Sequence, residues 1–521
     1  MKRYWSLVTG HWSLVTCCGR SPTAPPLLWP VSDRATSAVA GLPSTLPLVV
    51  RTSRPRHLAP RLLSTVSHLL FTVTCLMVLL WPAVVKADGP NAPLEQSAQG
   101  QQLYEERCAA CHGLEGDGQG PGAEHLFVKP RDFSRDEYKI KSTEGDEFPS
   151  RDDLIRVISE GMPGTSMPAW QGVLSQREIG AVADYIQTFG RFFPQEGYGT
   201  TLIDVPSRVG PSAESIARGQ ALYESDIECA KCHGEAGRGD GPSAFELTDN
   251  AGNVIYPADL TQPWTFRGGA APEQIYLRLR TGLTGSPMPA FAEALSPEET
   301  WDLVNYILSL APEQAPEPAV LLVSHFVAGS LPDDPHDPAW AGLEPATYPL
   351  TAQLMRAPRH YHPAINAVRV KSLYNGSEIA FHVAWNDRTE TSAGEAVDAL
   401  AIQFPQELTA GAERPYFVFG DSERAVYQWY WAADAGPEVE RNATGFNAVV
   451  VQPEEQQQTV VTAQYQAGQW QLVFRRAMQT SDNDDLAFVP DRFIPLSFMA
   501  WEGFAGEAEN RMGLTTWSVV Y

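Results

Sequence analysis

The spacing of apolar positions changes twice along this 521-residue chain. Residues 62–85 form an apolar run without a formal charge, preceded by Arg51, Arg54, Arg56 and Arg61. From about residue 100 to residue 310 the spacing is helical. Gln101-Leu103-Tyr104 and Gln220-Leu222-Tyr223 open helices, while Ser175 and Glu178 make a capping box ahead of Ile179, Val182, Ile186 and Phe189. Ser296 caps a further helix with Pro297 at its first position and Leu303, Ile307 and Leu310 on one face. After a Pro-rich spacer at 311–318 the pattern turns to strands. Residues 365–374 and 378–385 flank Asn375-Gly376, which predicts a hairpin. Residues 459–465 and 470–474, around a Gly468 turn, predict a second, and 493–501 and 515–521 read as further strands. The pattern predicts a multidomain chain, helical first and then an all-β sandwich of roughly 190 residues.

The helical region is written twice. Cys108-Ala109-Ala110-Cys111-His112 recurs as Cys229-Ala230-Lys231-Cys232-His233, 121 positions later. The same interval carries Gly161 to Gly282, Met167 to Met288, Pro168 to Pro289, Ser175 to Ser296 and Tyr185 to Tyr306. A period this long marks two tandem domains, not a solenoid. Cys-x-x-Cys-His is where a c-type haem is attached, two sulfurs on the porphyrin and the imidazole on the iron. Zinc wants two such cysteine pairs or differently spaced histidines, and a redox Cys-x-x-Cys has no use for the histidine. The remaining cysteines, Cys17, Cys18 and Cys75, all precede residue 87.

The repeat also selects a second iron ligand. Met162 falls opposite Leu283, whereas Met167 falls opposite Met288, so Met167 and Met288 are the axial candidates beside His112 and His233. Each histidine should give its other ring nitrogen to a backbone carbonyl. Pro121 and Pro242, or Pro130 and Pro257, are the candidate acceptors. These motifs, across about 94–310, resemble the class I cytochrome c family. The resemblance implies two all-α cytochrome c domains, at 92–195 and 212–311, two covalently bound haems c and one-electron transfer. Cys108, Cys111, Cys229 and Cys232 are the attachment residues, and no catalytic residue is assigned.

Charge bears on compartment and partners. The first 87 residues carry nine basic residues and one acidic, and the remainder carries 29 basic and 61 acidic. That acidic excess argues against nucleic acid and favours basic docking patches on other proteins. Val85-Lys86-Ala87 suits a signal peptidase, so residues 1–87 read as an export leader, with a retained membrane anchor as the alternative. The expected location is the periplasm or the outer face of the cytoplasmic membrane.

A second resemblance covers about 332–521. His382-Val383-Ala384-Trp385-Asn386-Asp387, Trp429-Tyr430-Trp431, Gly468-Gln469-Trp470 and Ala500-Trp501-Glu502-Gly503 are similar to the ethylbenzene-dehydrogenase-related family. It implies an immunoglobulin-like sandwich at 331–521, after a linker at 312–330. It also implies partnership with molybdopterin and iron–sulfur subunits, and one haem b between a Met and a Lys. The chain departs from the family at those ligands. Phe419-Gly420 stands where the Met precedes Gly, and Met512-Gly513-Leu514-Thr515-Thr516-Trp517 has no lysine. A haem b here would need other groups, such as Met512 with His382, Met478 or Met499.

The reading that follows is an exported dihaem electron-transfer protein, a γ-like subunit of a periplasmic molybdenum oxidoreductase. A free-standing dihaem oxidase or peroxidase needs an exchangeable sixth iron position, and a haem-linked ligand-binding or sensor module needs a ligand site in the sandwich.

Overall fold

The computed structural model describes residues 92–312, 314–408, 413–434 and 440–521. The leader or anchor expected at 1–87 lies outside the described residues. Among those described, no helix is long and apolar enough to cross a membrane.

Each copy of the repeat folds around its first and last helices. In the first copy these are α1 (Ala92–Arg107) and α4 (Gln176–Ile186), with a one-turn α2 (Ala109–His112) and α3 (Arg151–Glu160) between them. In the second they are α5 (Ala213–Tyr223) and α8 (Pro297–Ser309), with α6 (Cys229–His233) and α7 (Pro272–Thr281) between. The crossing of first and last helix is made at glycine. A methyl at Gly100 would lie 2.1 Å from the Ala181 carbonyl oxygen, and one at Gly219 would lie 2.1 Å from that of Asp302. No larger residue fits there, which explains why both copies keep glycine. Beside each crossing sits a tyrosine pair, Tyr104 with Tyr185 at 5.5 Å and Tyr223 with Tyr306 at 5.2 Å.

The expected caps are present. Ser175 and Ser296 accept from the backbone N–H of Glu178 and Glu299, whose carboxylates return the bond. α3 and α7 were not singled out from the sequence, although Ser150 with Asp153 and Pro272 at a first helical position mark their starts.

The C-terminal region holds two sheets face to face. One sheet centres on β3 (Ala399–Pro405), which pairs with β4 (Val426–Ala432) and with β7 (Ile494–Trp501). The other runs β5 (Val460–Tyr465), β6 (Gln469–Ala477), β2 (Glu378–Asn386), β1 (Ala367–Tyr374), all antiparallel. Alternate residues of β2 and β3, including Phe381, Val383, Trp385, Leu400, Ile402 and Phe404, form one shared core. The turn at Asn375-Gly376 is the expected hairpin, with Gly376 at φ 89°. The spacer is shorter than expected. Leu321–Leu322 and Ser324–Phe326 already pair in parallel with Ser518–Val520 and with β1. The chain re-enters the sheets before residue 330 because parallel edge pairing satisfies backbone groups that a free linker would leave to water.

Three separate apolar clusters, one per helical copy and one between the sheets, pack into one unit. Between the two helical copies, Arg135 Nη2 donates to the Asn250 carbonyl at 2.9 Å, and Asn250 Nδ2 donates to Glu137 at 2.8 Å. Arg156 Nη1 donates to the Gly268 carbonyl at 3.2 Å. Between the second copy and the sheets, Asn386 Nδ2 donates to Asp259 at 2.6 Å and to Thr261 at 3.1 Å. Tyr256 sits at the meeting point, stacked on Phe127 at 6.0 Å and covered by the Arg388 guanidinium at 5.0 Å.

Candidate functional site

α1 and α5 deliver the cysteine motifs. In the first copy the Cys108 N–H bonds back to the Tyr104 carbonyl at 2.8 Å, so the motif continues the helix as a final turn. The fully buried Tyr104 then locks that turn by donating its hydroxyl proton to the Gly113 carbonyl at 2.9 Å. Tyr223 does the same to Gly234 at 2.6 Å. The four cysteines are free and partly buried. Burial pushes the thiols of Cys108 and Cys229 up to about 11. Both rises run against the stabilised thiolate that a redox Cys-x-x-Cys uses.

Each motif histidine is held from behind. His112 Nδ1 lies 3.0 Å from the Arg131 carbonyl oxygen, and His233 Nδ1 lies 3.0 Å from that of Ala258. A carbonyl can only accept, so Nδ1 carries the proton and Nε2 keeps its lone pair for a metal. Burial holds both imidazoles below their ordinary range, which keeps them neutral. The acceptors correct the sequence expectation by one residue: the carbonyls belong to the residues after Pro130 and Pro257, and Pro121 and Pro242 supply neither. Both prolines have a different contact. A methyl on Gly118 would lie 2.8 Å from the Pro130 oxygen, and one on Gly239 would lie 2.8 Å from the Pro257 oxygen. Phe133 adds a ring stacked on His112 at 4.8 Å and 19°. Sequence reasoning missed Arg131, Ala258 and Phe133, because nothing local marks which carbonyl the imidazole will find.

The methionine loops are also built alike. Met162 N–H bonds to the Met167 carbonyl and Leu283 N–H to that of Met288, each at 3.1 Å. Gly161 and Gly282 open the loops at φ 73° and 63°, where a side chain would strike the backbone of Pro168 and of Pro289. Met167 packs against the same cluster as Cys108, and Met288 against the same cluster as Cys229. Each copy thus gathers a cysteine pair, a tautomer-fixed imidazole and a thioether around one partly open core.

A match to the model of "Cytochrome C oxidase, cbb3-type, subunit III" covers residues 95–186 and again 214–307. Cytochrome c55X of Stutzerimonas stutzeri is 32% identical over 109 residues, which are 20% of this chain and 76% of that protein. This chain belongs to the c-type cytochromes. Chlorate reductase subunit gamma of Ideonella dechloratans is 28% identical over 137 residues, 25% of this cytochrome and 53% of that subunit. A chain in the solved Kuenenia stuttgartiensis reducing HAO-like protein complex is 39% identical, with 41% of the cytochrome and 96% of that chain covered and a TM-score of 0.40. The donor set fits covalently bound haem c, and electron transport is the family's work. The group itself supplies the ferric and ferrous states.

The sulfur and imidazole groups considered for a haem b lie in three different layers. Met499 and Met512 are fully buried with Phe419 in an apolar cluster on the outer face of the β3 sheet. Met478 is in the core between the sheets. His382 points outward from the opposite sheet, against Trp340 at 5.4 Å. Neither His382 nor Met478 shares a layer with Met512, so neither pairing can close on one iron. Met499 and Met512 do share a cluster, and both are fully buried in it. Of the pairings considered, only Met499 with Met512 lies in one layer, and no step is derived through a haem b.

Proposed function

We propose that this cytochrome carries two haems c and relays single electrons outside the cytoplasmic membrane for a reductase. One haem is tethered at Cys108 and Cys111, with His112 and Met167 on its iron. The other is tethered at Cys229 and Cys232, with His233 and Met288. The observation that carries this reading is the repetition of the whole arrangement, from the tyrosine lock and the carbonyl-held imidazole to the Gly-opened methionine loop. Closure of both irons by methionine favours transfer over oxidase or peroxidase chemistry, which needs an exchangeable position.

The protein's own part is to bind, orient and exclude water. Arg131 and Ala258 fix the histidine tautomers, and the helix crossings at Gly100 and Gly219 hold the two ends of each domain together. The likeness to chlorate reductase subunit gamma supports a reductase as the partner, and we read that reductase, from the C-terminal resemblance, as one of the molybdenum group with iron–sulfur subunits. We read the β region as an immunoglobulin-like sandwich that docks on that partner. The test is a spectrum of the exported protein: two six-coordinate haems per chain, unresponsive to carbon monoxide, are expected. A five-coordinate population that binds carbon monoxide would overturn the transfer reading.

A further inference from the structure

The second copy carries an insertion that the first lacks. His112 and the residue whose carbonyl it meets are 19 positions apart, whereas His233 and Ala258 are 25 apart, so the second loop is longer by 25 − 19 = 6 residues. The excess falls between Leu247 and Pro257, where the first copy has only Phe127, Val128 and Lys129 between Leu126 and Pro130. The inserted stretch turns back on itself as a small hairpin. Thr248 faces Val254 across a single bridge, the Asp249 N–H donates to the Asn253 carbonyl at 2.9 Å, and Gly252 takes φ 82° at the tip.

The hairpin joins the first copy to the second copy's methionine loop. Two first-copy side chains grip Asn250: Arg135 Nη2 donates to its carbonyl at 2.9 Å, and its Nδ2 donates to Glu137 Oε1 at 2.8 Å. The backbone N–H of Asn250 then donates to the Gly285 carbonyl at 3.0 Å. Gly285 lies in the loop that Leu283 closes through its N–H on the Met288 carbonyl. Glu137 also packs on that loop directly, since a methyl on Gly285 would lie 2.7 Å from its Oε2, and its side chain is only 18% exposed. The first copy's loop has no such hairpin. Gly164, the counterpart of Gly285, instead abuts the Thr265 carbonyl of the second copy, 2.5 Å from a methyl placed there.

We propose that Glu137 of the first copy, acting through Asn250, is a positioning residue for Met288. The inserted hairpin carries the first copy's grip to the loop that presents the second copy's thioether. The inference rests on the two-haem reading above, and it makes the sixth ligand of the second haem depend on the first domain. Loosening the grip lets the loop lift more often, so an outside ligand competes better for that iron. A hydrogen bond to a charged group is strong enough that its loss shifts such an equilibrium about tenfold.

The test titrates imidazole into the ferric, full-length exported cytochrome and follows the sulfur-to-iron charge-transfer band, with haem counted per chain. Glu137→Ala should raise the imidazole affinity of one haem in two by about tenfold. Asn250→Ala should match it, and the double variant should add little, because both act through one bond. Glu137→Gln keeps an acceptor for Asn250 and should stay near wild type. Glu137→Ala should change nothing further in a Met288→Ala background, whereas its effect should persist in a Met167→Ala background. Unchanged affinity in both Glu137→Ala and Asn250→Ala would overturn the proposal. So would an effect that survives Met288→Ala, since Glu137 would then act on something other than the methionine. A wild-type count below two haems per chain would instead refute the underlying dihaem reading.

Discussion

His233 Nδ1 lies 3.0 Å from the carbonyl oxygen of Ala258. The next residue, Asp259, accepts a 2.6 Å hydrogen bond from Asn386 of the β region. The loop behind His233 is thus braced by the β region, whereas the first copy's equivalent, Asp132, caps its own turn at Ser134. Asn386→Ala removes the bonds to Asp259 and Thr261 and should cost about 1–3 kcal/mol. Redox titration should show the second haem's potential displaced and the first unmoved, and thermal unfolding should begin earlier.

Gly239 marks a second pressure point. At φ 77°, with a methyl placed 2.8 Å from the Pro257 oxygen, alanine is strained and also pushes the loop that carries Ala258. Gly239→Ala should destabilise by roughly 1–3 kcal/mol. Its Gly118→Ala counterpart should do the same for the first domain. Calorimetry of the two holoproteins checks both, and equal melting temperatures to wild type would contradict the loop geometry.

The two methionines of the first loop should behave differently. Met162 lies opposite Leu283 in the repeat, so Met162→Leu should leave the spectrum unchanged. Met167→Ala should open one iron in two and make half of the haem bind carbon monoxide.

The attachment motifs, the paired methionines and the helix caps are legible in the sequence because each is a short pattern read within a few residues. The repeat sharpens them by cancelling Met162. The proximal carbonyls of Arg131 and Ala258 are not legible, because 19 and 25 residues separate them from their histidines and loop closure decides the register. The β region divides in the same way. Its hairpins follow from alternation and Asn375-Gly376, while the parallel pairing of Leu321–Leu322 with Ser518–Val520 joins chain segments that no local pattern links. That Phe419 packs into one buried cluster with Met499 and Met512 is likewise a tertiary fact that no local pattern links.

Stability should fall with rising pH through one buried cluster. Acceptor oxygens of Asp387, Asp398 and Glu502 lie within 4.8 Å of one another. Burial, and then the charges of Asp398 and Glu502, push the Asp387 carboxyl well above its usual range, and burial raises the other two. The folded state therefore holds more protons than the unfolded chain once pH exceeds about 4. Stability from this cluster is present at low pH and lost as pH climbs through the raised values. Asp387→Asn should narrow the difference in melting temperature between pH 5 and pH 8 relative to wild type, and an unaltered difference would contradict the assignment.

The most direct measurement is the number of haems that stay on the polypeptide after denaturation. The exported wild-type chain should retain two through thioether bonds, and the Cys229→Ala, Cys232→Ala double variant should retain one. Haem that extracts freely from the wild-type chain, or a double variant still holding two, would contradict the dihaem c architecture.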